Sequence, residues 1–406
     1  MNLTTRIALR HLLSSHNFGF ISFSTILSII GLMLGISSLI IISCISDGFN
    51  DVINNKLSGI DGHIRIQSYL SDEIKDEKIY ELDSIIIQKV HPQLKNTAPY
   101  IEKHAIIRKG SHSEGVILYG VPEKALNSIF QLNKFTTTES KFDKNNSIIV
   151  GNKLAELMEI SEEDNIIILN PEEIVSKQLF NAEILKVANT FQTDFPEYDK
   201  LLAFVPLEKA KSIFEMESQM TGLILNVNNP DEVENADILI AEALGTMPYM
   251  TTTWKERHAS LLDWLSVYDI PIKLIMFFIT AVGIFNIGAS LWMIIIEKTR
   301  EFGILQSMGL TISQVKQIII KEGAIIGLSG SLLGVIVSLC VLYFESVYHI
   351  IKLPNDVYFM EYLPVKISSV YFLFYPIITL LITIGFSYIP AKYFSKISPS
   401  EALRYE

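Results

Sequence analysis

Four stretches of this chain, residues 21–45, 274–296, 323–344 and 367–391, contain no Asp, Glu, Lys or Arg. Each is longer than the ~20 residues a helix needs to cross a hydrocarbon core of ~30 Å. Buried helices of water-soluble proteins are usually shorter and amphipathic, because one face meets water. The four stretches therefore predict four transmembrane helices. The mean hydropathy of +0.33 is an average over two materials, the apolar windows and a charge-bearing remainder. The first window is too long for the apolar core of a signal peptide, and Ser46-Asp47-Gly48 makes a poor cleavage site, so it reads as an uncleaved span.

Placement of Lys and Arg beside the windows sets the expected orientation. Arg6 and Arg10 precede the first window; Lys298, Arg300, Lys316 and Lys321 lie between the second and third; Lys392, Lys396 and Arg404 follow the fourth. The segment after the third window holds only Lys352 and Lys366. Both termini and residues 297–322 are thus expected in the cytoplasm, with 47–268 and 345–366 outside.

The expected fold is an α-helical membrane protein with four transmembrane helices and a large α+β extracytoplasmic domain inserted between helices 1 and 2. Its parts read as 1–46, an interfacial helix plus helix 1; 47–268, the outer domain; 269–296, helix 2; and 297–322, a cytoplasmic loop. Helix 3 (323–344), an outer loop (345–366), helix 4 (367–392) and a cytoplasmic tail (393–406) complete it. Leu3, Ile7, Leu9, Leu12 and Leu13 among Arg6, Arg10 and His11 suggest that the N-terminal segment lies along the membrane surface.

Within the insert, β-rich runs occur at 63–67, 101–108, 115–121, 147–150, 165–169, 182–191, 201–205 and 222–227. Helical patterns fall at 79–91, 124–130, 153–158, 207–214 and 232–244. Residues 254–268 read as a helix continuing into the second span as one stiff rod, with Pro271 as a kink. Both cysteines, Cys44 and Cys340, fall in spans, so the insert has no disulfide framework; at this size it can build its own core.

Little in the chain suggests chemistry. There is no G-x-x-x-x-G-K-[ST] phosphate loop, no G-x-S-x-G elbow, and no Cys/His cluster at metal-ligand spacing among the eight scattered histidines. A net charge of −11 argues against nucleic acid. The chain reads as non-catalytic, with no cofactor of its own. Charge inside the membrane usually marks an ion pathway, and the windows have none. Asn286 is the most polar residue deep in a span; it reads either as a gate or cavity residue or as interhelical packing glue. In the third window Gly323, Gly327, Gly330 and Gly334 form one stripe, a packing face and a candidate dimer face.

The stretch Glu297-Lys298-Thr299-Arg300-Glu301-Phe302-Gly303-Ile304-Leu305-Gln306-Ser307-Met308-Gly309 carries charge at its head, then Phe302, Leu305 and Met308 at helical spacing. A short amphipathic helix in a cytoplasmic loop is where a permease docks a motor protein. Arg300 and Glu301 would supply polar contacts, and Phe302, Leu305 and Met308 would fill the partner's groove.

The chain resembles the FtsX-like/MacB-type ABC permeases, most closely the membrane subunits of lipoprotein-releasing systems (LolC/LolE type). The resemblance is carried in order along the chain. It begins with Ile7-Ala8-Leu9-Arg10, Gly19-Phe20-Ile21-Ser22-Phe23 and Asp47-Gly48-Phe49. It continues through Phe285-Asn286-Ile287 and Glu297-Lys298-Thr299-Arg300-Glu301 with Ile304-Leu305-Gln306-Ser307-Met308-Gly309, then Val357-Tyr358-Phe359-Met360-Glu361-Tyr362-Leu363-Pro364-Val365. It ends with Pro390-Ala391 and Pro399-Ser400-Glu401-Ala402-Leu403-Arg404-Tyr405-Glu406. In the insert, Tyr198-Asp199 and Leu202-Ala203-Phe204-Val205-Pro206-Leu207 also match. Asp47 stands where the family often has Asn, and 161–165 lacks the usual glycine. The stretch near 170–179, where LolC-type subunits carry a carrier-hooking hairpin, is short and acidic.

The resemblance implies extraction of acylated lipoproteins from the outer leaflet of the bacterial inner membrane. Its implied partners are a LolD-like ATPase that binds ATP and Mg, a second permease subunit, and a LolA-like periplasmic carrier. Acyl chains would enter a cavity whose mouth is lined by Ile45, Ser46 and Phe49 of the first span and Tyr268, Ile270 and Leu274 of the second, closed by Tyr358 and Phe359. Alternatives within the family are a MacB-like export permease and an FtsX-like transmitter that regulates a cell-wall hydrolase.

Overall fold

The computed structural model describes residues 4–8, 20–90, 92–136, 141–142, 146–172 and 182–394. The chain divides into two compact units. One comprises Met1–Asp51, Trp264–Lys352 and Tyr362–Glu406; the other comprises Val52–Asp263 and Leu353–Glu361.

Among the described residues, four helices are long and apolar enough to cross a membrane. They run Phe20–Asp61, Asp269–Ser307, Ile312–Tyr348 and Ser369–Phe394. The first three overrun their apolar windows by several turns. The second continues through Glu297–Ser307, so the expected short helix in a loop is instead the tail of a span. Only a tight link separates it from the third helix. Gly309 takes φ +103°, a backbone state open to glycine, and Thr311 and Gln314 form a capping box that starts the next helix.

Glycine lets these helices touch. A Cβ at Gly323 would lie 1.9 Å from Ser387 Oγ, and one at Gly327 would lie 3.1 Å from Thr383 Cβ, both on the fourth helix. A Cβ at Gly330 would meet Leu32 Cβ at 2.6 Å, and one at Gly334 would meet Ile36 Cβ at 2.9 Å, both on the first. The glycine stripe, expected as a candidate dimer face, is therefore occupied within the chain. Lipid offers no hydrophobic force between helices, so close backbone approach has to supply the attraction.

Residues 254–268 do not form the expected rod. They are cut into Trp254–Arg257 and Ala259–Ser266, and the span starts afresh at Asp269. Thr253 and Glu256 cap the first piece in a capping box, and His258 breaks it. Pro271 sits in the first turn of the new helix, where its missing N–H is no loss, so it opens the helix rather than kinking it.

The second unit is built on a nine-stranded sheet among its described residues. Its strands are β1 (Ile64–Ser68), β3 (Leu94–Lys109), β4 (His112–Val121), β5 (Ser147–Gly151), β6 (Asn165–Leu169), β7 (Glu183–Phe191), β8 (Leu202–Pro206), β10 (Gly222–Val227) and β11 (Tyr249–Thr253). The short β2 (Ile74–Lys75) and β9 (Gln219–Met220) pair separately. The order is β11-β1-β10-β3-β4-β8-β5-β7-β6, and β6 pairs back onto β3, closing six strands on themselves. The long β3 serves both halves: Leu94–Tyr100 faces β10, and Ile101–Lys109 faces β4. At the join lies an aromatic core in which Phe204 packs against Tyr119, Phe130 and Phe191 at centroid distances of 5.1–5.6 Å.

Candidate functional site

In the membrane unit, the tail of the second span presents two faces. Phe302 is fully buried with Ile295, Val315, Ile318 and Ala8, and Leu305 packs half-buried against the same cluster. Thr299 is buried beside them, its Oγ1 donating to the Ile295 carbonyl at 2.7 Å. Phe302 thus fills a groove of its own chain, which corrects its expected role toward a partner. Burial wins because Ile318 and Ile319 of the third helix supply the matching apolar face. The outward face carries Arg300, Glu301, Ile304 and Met308, the last 78% exposed. Lys321 Nζ donates to Thr4 and Thr5 Oγ1 at 2.7 and 2.9 Å, holding the helical residues 4–8 on the third helix.

The expected cavity residues divide. Ile45, Ser46 and Phe49 are half-buried, while Tyr268, Ile270 and Leu274 are exposed. None of them lines the apolar crevice that the structure forms deeper in this unit. That crevice lies between Gly35 and Leu39 of the first helix, Ile279 and Gly283 of the second, and Thr379 and Ile382 of the fourth. Asn286 sits against Gly31, where a Cβ would come within 2.6 Å of its Nδ2, so it is part of the contact between the first two spans.

A polar seam joins the first helix, at positions one turn apart, to the fourth helix and the segment that leads into it. Ser43 Oγ and Tyr375 OH are 2.7 Å apart, Tyr371 OH donates to Asp47 at 2.7 Å, and Lys366 Nζ donates to Asp51 at 2.5 Å. Gly48 lies in the same row because the Pro364 carbonyl would be 2.7 Å from any Cβ there. The blocks around Asp47-Gly48-Phe49 and Leu363-Pro364 therefore meet in space.

In the second unit, the chain buries an ionic cluster that sequence reasoning missed. Asp61, the last residue of the first long helix, is its centre. Arg257 Nε donates to Asp61 Oδ2 at 2.6 Å, and its Nη2 donates to the Asp61 and Gly62 carbonyls at 2.7 and 3.1 Å. His258 Nε2 lies 2.9 Å from Asp61 Oδ2 and 2.7 Å from Tyr198 OH. A carboxylate only accepts, so Nε2 carries the proton on the Asp61 side. Arg65 pairs with both Asp61 and Glu102, donates to Tyr119 OH at 2.7 Å, and has the Tyr100 and Tyr119 rings each 5.4 Å away.

Burial alone would raise the Asp61 carboxyl, but Arg65, Arg257 and His258 together hold it far below the usual carboxylate range. Burial and the Asp61 charge push the Tyr198 phenol well up, so it remains neutral. Two carboxylates, Asp61 and Glu102, face two guanidinium groups, Arg65 and Arg257. One signal was available: residues 52–263 contain three arginines, Arg65, Arg108 and Arg257, and two of them meet at Asp61.

A second contact lies in the same unit. Lys56 Nζ donates to Asp194 Oδ2 at 2.6 Å and to the Phe359 carbonyl at 3.0 Å. The Phe359 ring stacks on Phe195 with centroids 4.5 Å apart and planes 9° apart. Phe359 is thus engaged with the domain rather than free to close a membrane cavity, while Tyr358 is exposed. The end block 399–406, most of the N-terminal segment and residues 173–179 of the hairpin equivalent lie outside the described residues.

Residues 25–242 match the family of MacB-like periplasmic core domains, and residues 273–399 match the FtsX-like permease C-terminal family. The chain is 26% identical to the lipoprotein-releasing system transmembrane protein LolC of Xylella fastidiosa, over 100% of this chain and 99% of the relative. It is 25% identical to LolC of Neisseria meningitidis over 100% of both chains, and 23% identical to LolE of Haemophilus influenzae over 93% of each. Among solved structures, the periplasmic region of MacB from Actinobacillus actinomycetemcomitans aligns with 52% of this chain and 97% of its own, at 10% identity and a TM-score of 0.35. More than half of the chain falls in the MacB-like core match, the permease match covers three of the four spans, and the LolC resemblance runs end to end: the chain belongs to the FtsX-like/MacB-like permease family, as a multi-span membrane permease of the LolC/LolE type with an extracytoplasmic domain.

Proposed function

We propose that this chain is the permease subunit of an ABC transporter that extracts acylated lipoproteins from the outer leaflet of the inner membrane and passes them to a periplasmic carrier. The observation that carries this reading is the end-to-end similarity to LolC proteins. Residues 47–268 are the periplasmic domain, both termini are cytoplasmic, and a separate LolD-like subunit binds ATP and Mg. A second permease, identical or homologous, completes the membrane part, and a LolA-like carrier receives the product.

Energetics dictate the form of the mechanism. Three acyl chains of ~15 methylenes each, at ~0.8 kcal/mol per methylene, would cost about 36 kcal/mol to expose to water. No single conformational stroke covers that, so the chains have to slide between apolar surfaces from lipid through the permease into the carrier. The charge-free spans and the crevice beside Gly35 and Gly283 support such a path. Arg300, Glu301, Ile304 and Met308 form the face offered to the ATPase, and Phe302 braces it from within.

The test is ATPase activity of the reconstituted complex with a triacylated lipoprotein or its unacylated form. Stimulation by the acylated form alone, with transfer to soluble carrier, is the expected result. Equal response to both forms would overturn the reading.

A further inference from the structure

We infer that a cleft beside β3 binds an extended segment of polypeptide, and that its occupant is the polypeptide part of the lipoprotein cargo. The choice of occupant rests on the function proposed above. The site lies wholly within Val52–Asp263 and arises where β3 changes partners. On the edge turned away from β4, β10 pairs as far as Tyr100 and β6 pairs only from Ile106. Successive residues of a strand turn their N–H and C=O groups to opposite edges. The Glu102 N–H donates to Thr221 Oγ1 at 2.9 Å on this edge, so the N–H and C=O of His104 point the same way, into the gap. No strand among the described residues covers them. β6 cannot be extended to do so: in its register with β3 the residue opposite His104 is Pro171, which has no N–H.

Around this bare edge the structure forms a cleft of about 540 Å³, walled by Gln67, Lys103, His104, Phe214, Thr221 and Met250. A second hollow of about 590 Å³ adjoins it through Asp72, Lys103 and Glu172. Either volume is of the size that encloses a small ligand. The bare stretch from Glu102 to Ile106 spans about 13 Å, four steps of ~3.3 Å. The walls do not suit an acyl chain. Charged groups of both signs, Asp72 and Glu172 with Lys75 and Lys78, line the two hollows, and a fatty chain there would desolvate them without answering them. They suit an extended polypeptide, which adds a short strand through main-chain hydrogen bonds and lays alternate side chains against Phe214 and Met250. Main-chain recognition is indifferent to sequence. A permease that handles many different cargoes needs that tolerance, whereas a single carrier is better recognised by its own side chains.

The experiment uses the full permease–ATPase complex in liposomes, with triacylated lipoprotein and soluble carrier. A benzophenone side chain introduced at Met250 captures on illumination whatever lies in the cleft. An adduct with the lipoprotein is the expected result; an adduct with the carrier or a second permease chain instead, or no adduct, overturns the inference. His104→Pro in the same background removes the N–H of the bare edge and takes no bond from the β3–β4 ladder. The lipoprotein adduct should fall about fivefold, the worth of one backbone hydrogen bond. His104→Ala keeps the main chain and should leave the adduct as it is. An adduct that survives His104→Pro, or falls equally in both variants, overturns main-chain recognition. If His104→Pro fails to assemble, Asp72→Trp decides by filling the cleft where its two parts join: a severalfold smaller adduct supports the site, an unchanged one refutes it. ATPase stimulation read in the same samples separates the two claims. Acyl-dependent stimulation without an adduct refutes the cleft alone, whereas indifference to acylation brings down the proposed function, and the cargo as occupant with it.

Discussion

The two units solve the same packing problem with opposite materials. In the membrane unit the helices meet through missing side chains, with Gly330 and Gly334 against Leu32 and Ile36 and Gly323 and Gly327 against Ser387 and Thr383. Its named polar contacts gather in the seam from Ser43 to Asp51 and at the link beside Thr4 and Thr5. The domain does the reverse. It closes around large aromatic rings and buries two arginines beside two carboxylates. Water accounts for the contrast. Sheet and helix faces in water gain from burying bulk, which leaves enough stability to carry a desolvated ionic cluster. Helices in lipid gain only from contact and hydrogen bonding, so small residues set the interfaces.

The largest expected effect tests the membrane half of that contrast. Gly330→Leu places a branched side chain where even a Cβ would lie 2.6 Å from Leu32 Cβ and 3.3 Å from the Ile29 carbonyl. Neither neighbour is the free end of a flexible chain, so the first and third helices have to part. A loss of about 3 kcal/mol or more is expected, at the upper end of overpacking costs. Unfolding in detergent would measure it. A stability near wild type would mean that the helices tolerate separation and that the glycine row is not what joins them.

A slightly smaller effect probes the domain. His63 is 3% exposed, and its Nδ1 accepts from the Val227 N–H at 3.0 Å. Burial, with the positive charges of Lys95 and Arg257, lowers its pKa to about 4, against ~6.5 for a free imidazole. The folded domain therefore binds fewer protons than the unfolded chain between those values. Stability from His63 is complete above pH ~6.5 and is lost as pH falls through about 4, by about 3 kcal/mol in all. Denaturant unfolding followed by domain tryptophan signal at pH 7 and pH 4.5 should show this slope, and His63→Gln should flatten it. Asp61 adds acid sensitivity of the same sign, its stabilisation being lost only at still lower pH. A slope that survives His63→Gln undiminished would place the acid sensitivity elsewhere.

Legibility in the sequence follows the same division. The spans were readable because a charge-free run longer than twenty residues has few other structures open to it. Strands such as Ser147–Gly151 and Gly222–Val227 were readable from short β-branched runs. The first half of β3 was not, since Asn96 and Pro99 are poor strand formers, and pairing with β10 overrides them. β11, which reads Tyr249-Met250-Thr251-Thr252-Thr253, was missed because it directly precedes a helix and owes its conformation to β1. Phe302 was assigned to a partner because periodicity gives a face but not its neighbour. The Asp61 cluster was beyond reach for a plainer reason: of its partners only Arg65 is nearby in sequence, while Glu102, Tyr119, Tyr198, Arg257 and His258 arrive through the fold.

The smallest expected effect separates the two readings of Asn286. Its side chain fills the hollow above Gly31, which is what an interhelical packing residue does; a cavity-lining residue would face the crevice at Gly35 and Gly283, and it does not line that crevice. Polar contacts between helices in a membrane average about 0.6 kcal/mol, because the separated helices also find partners. Asn286→Ala should therefore cost well under 1 kcal/mol in detergent unfolding and leave acyl-dependent release per ATP unchanged. Release that drops severalfold while stability holds would show that the substrate passes this residue. The path would then run along the contact between the first and second spans rather than through the crevice beneath it, and the line drawn here between glycine packing and transport surface would have to move.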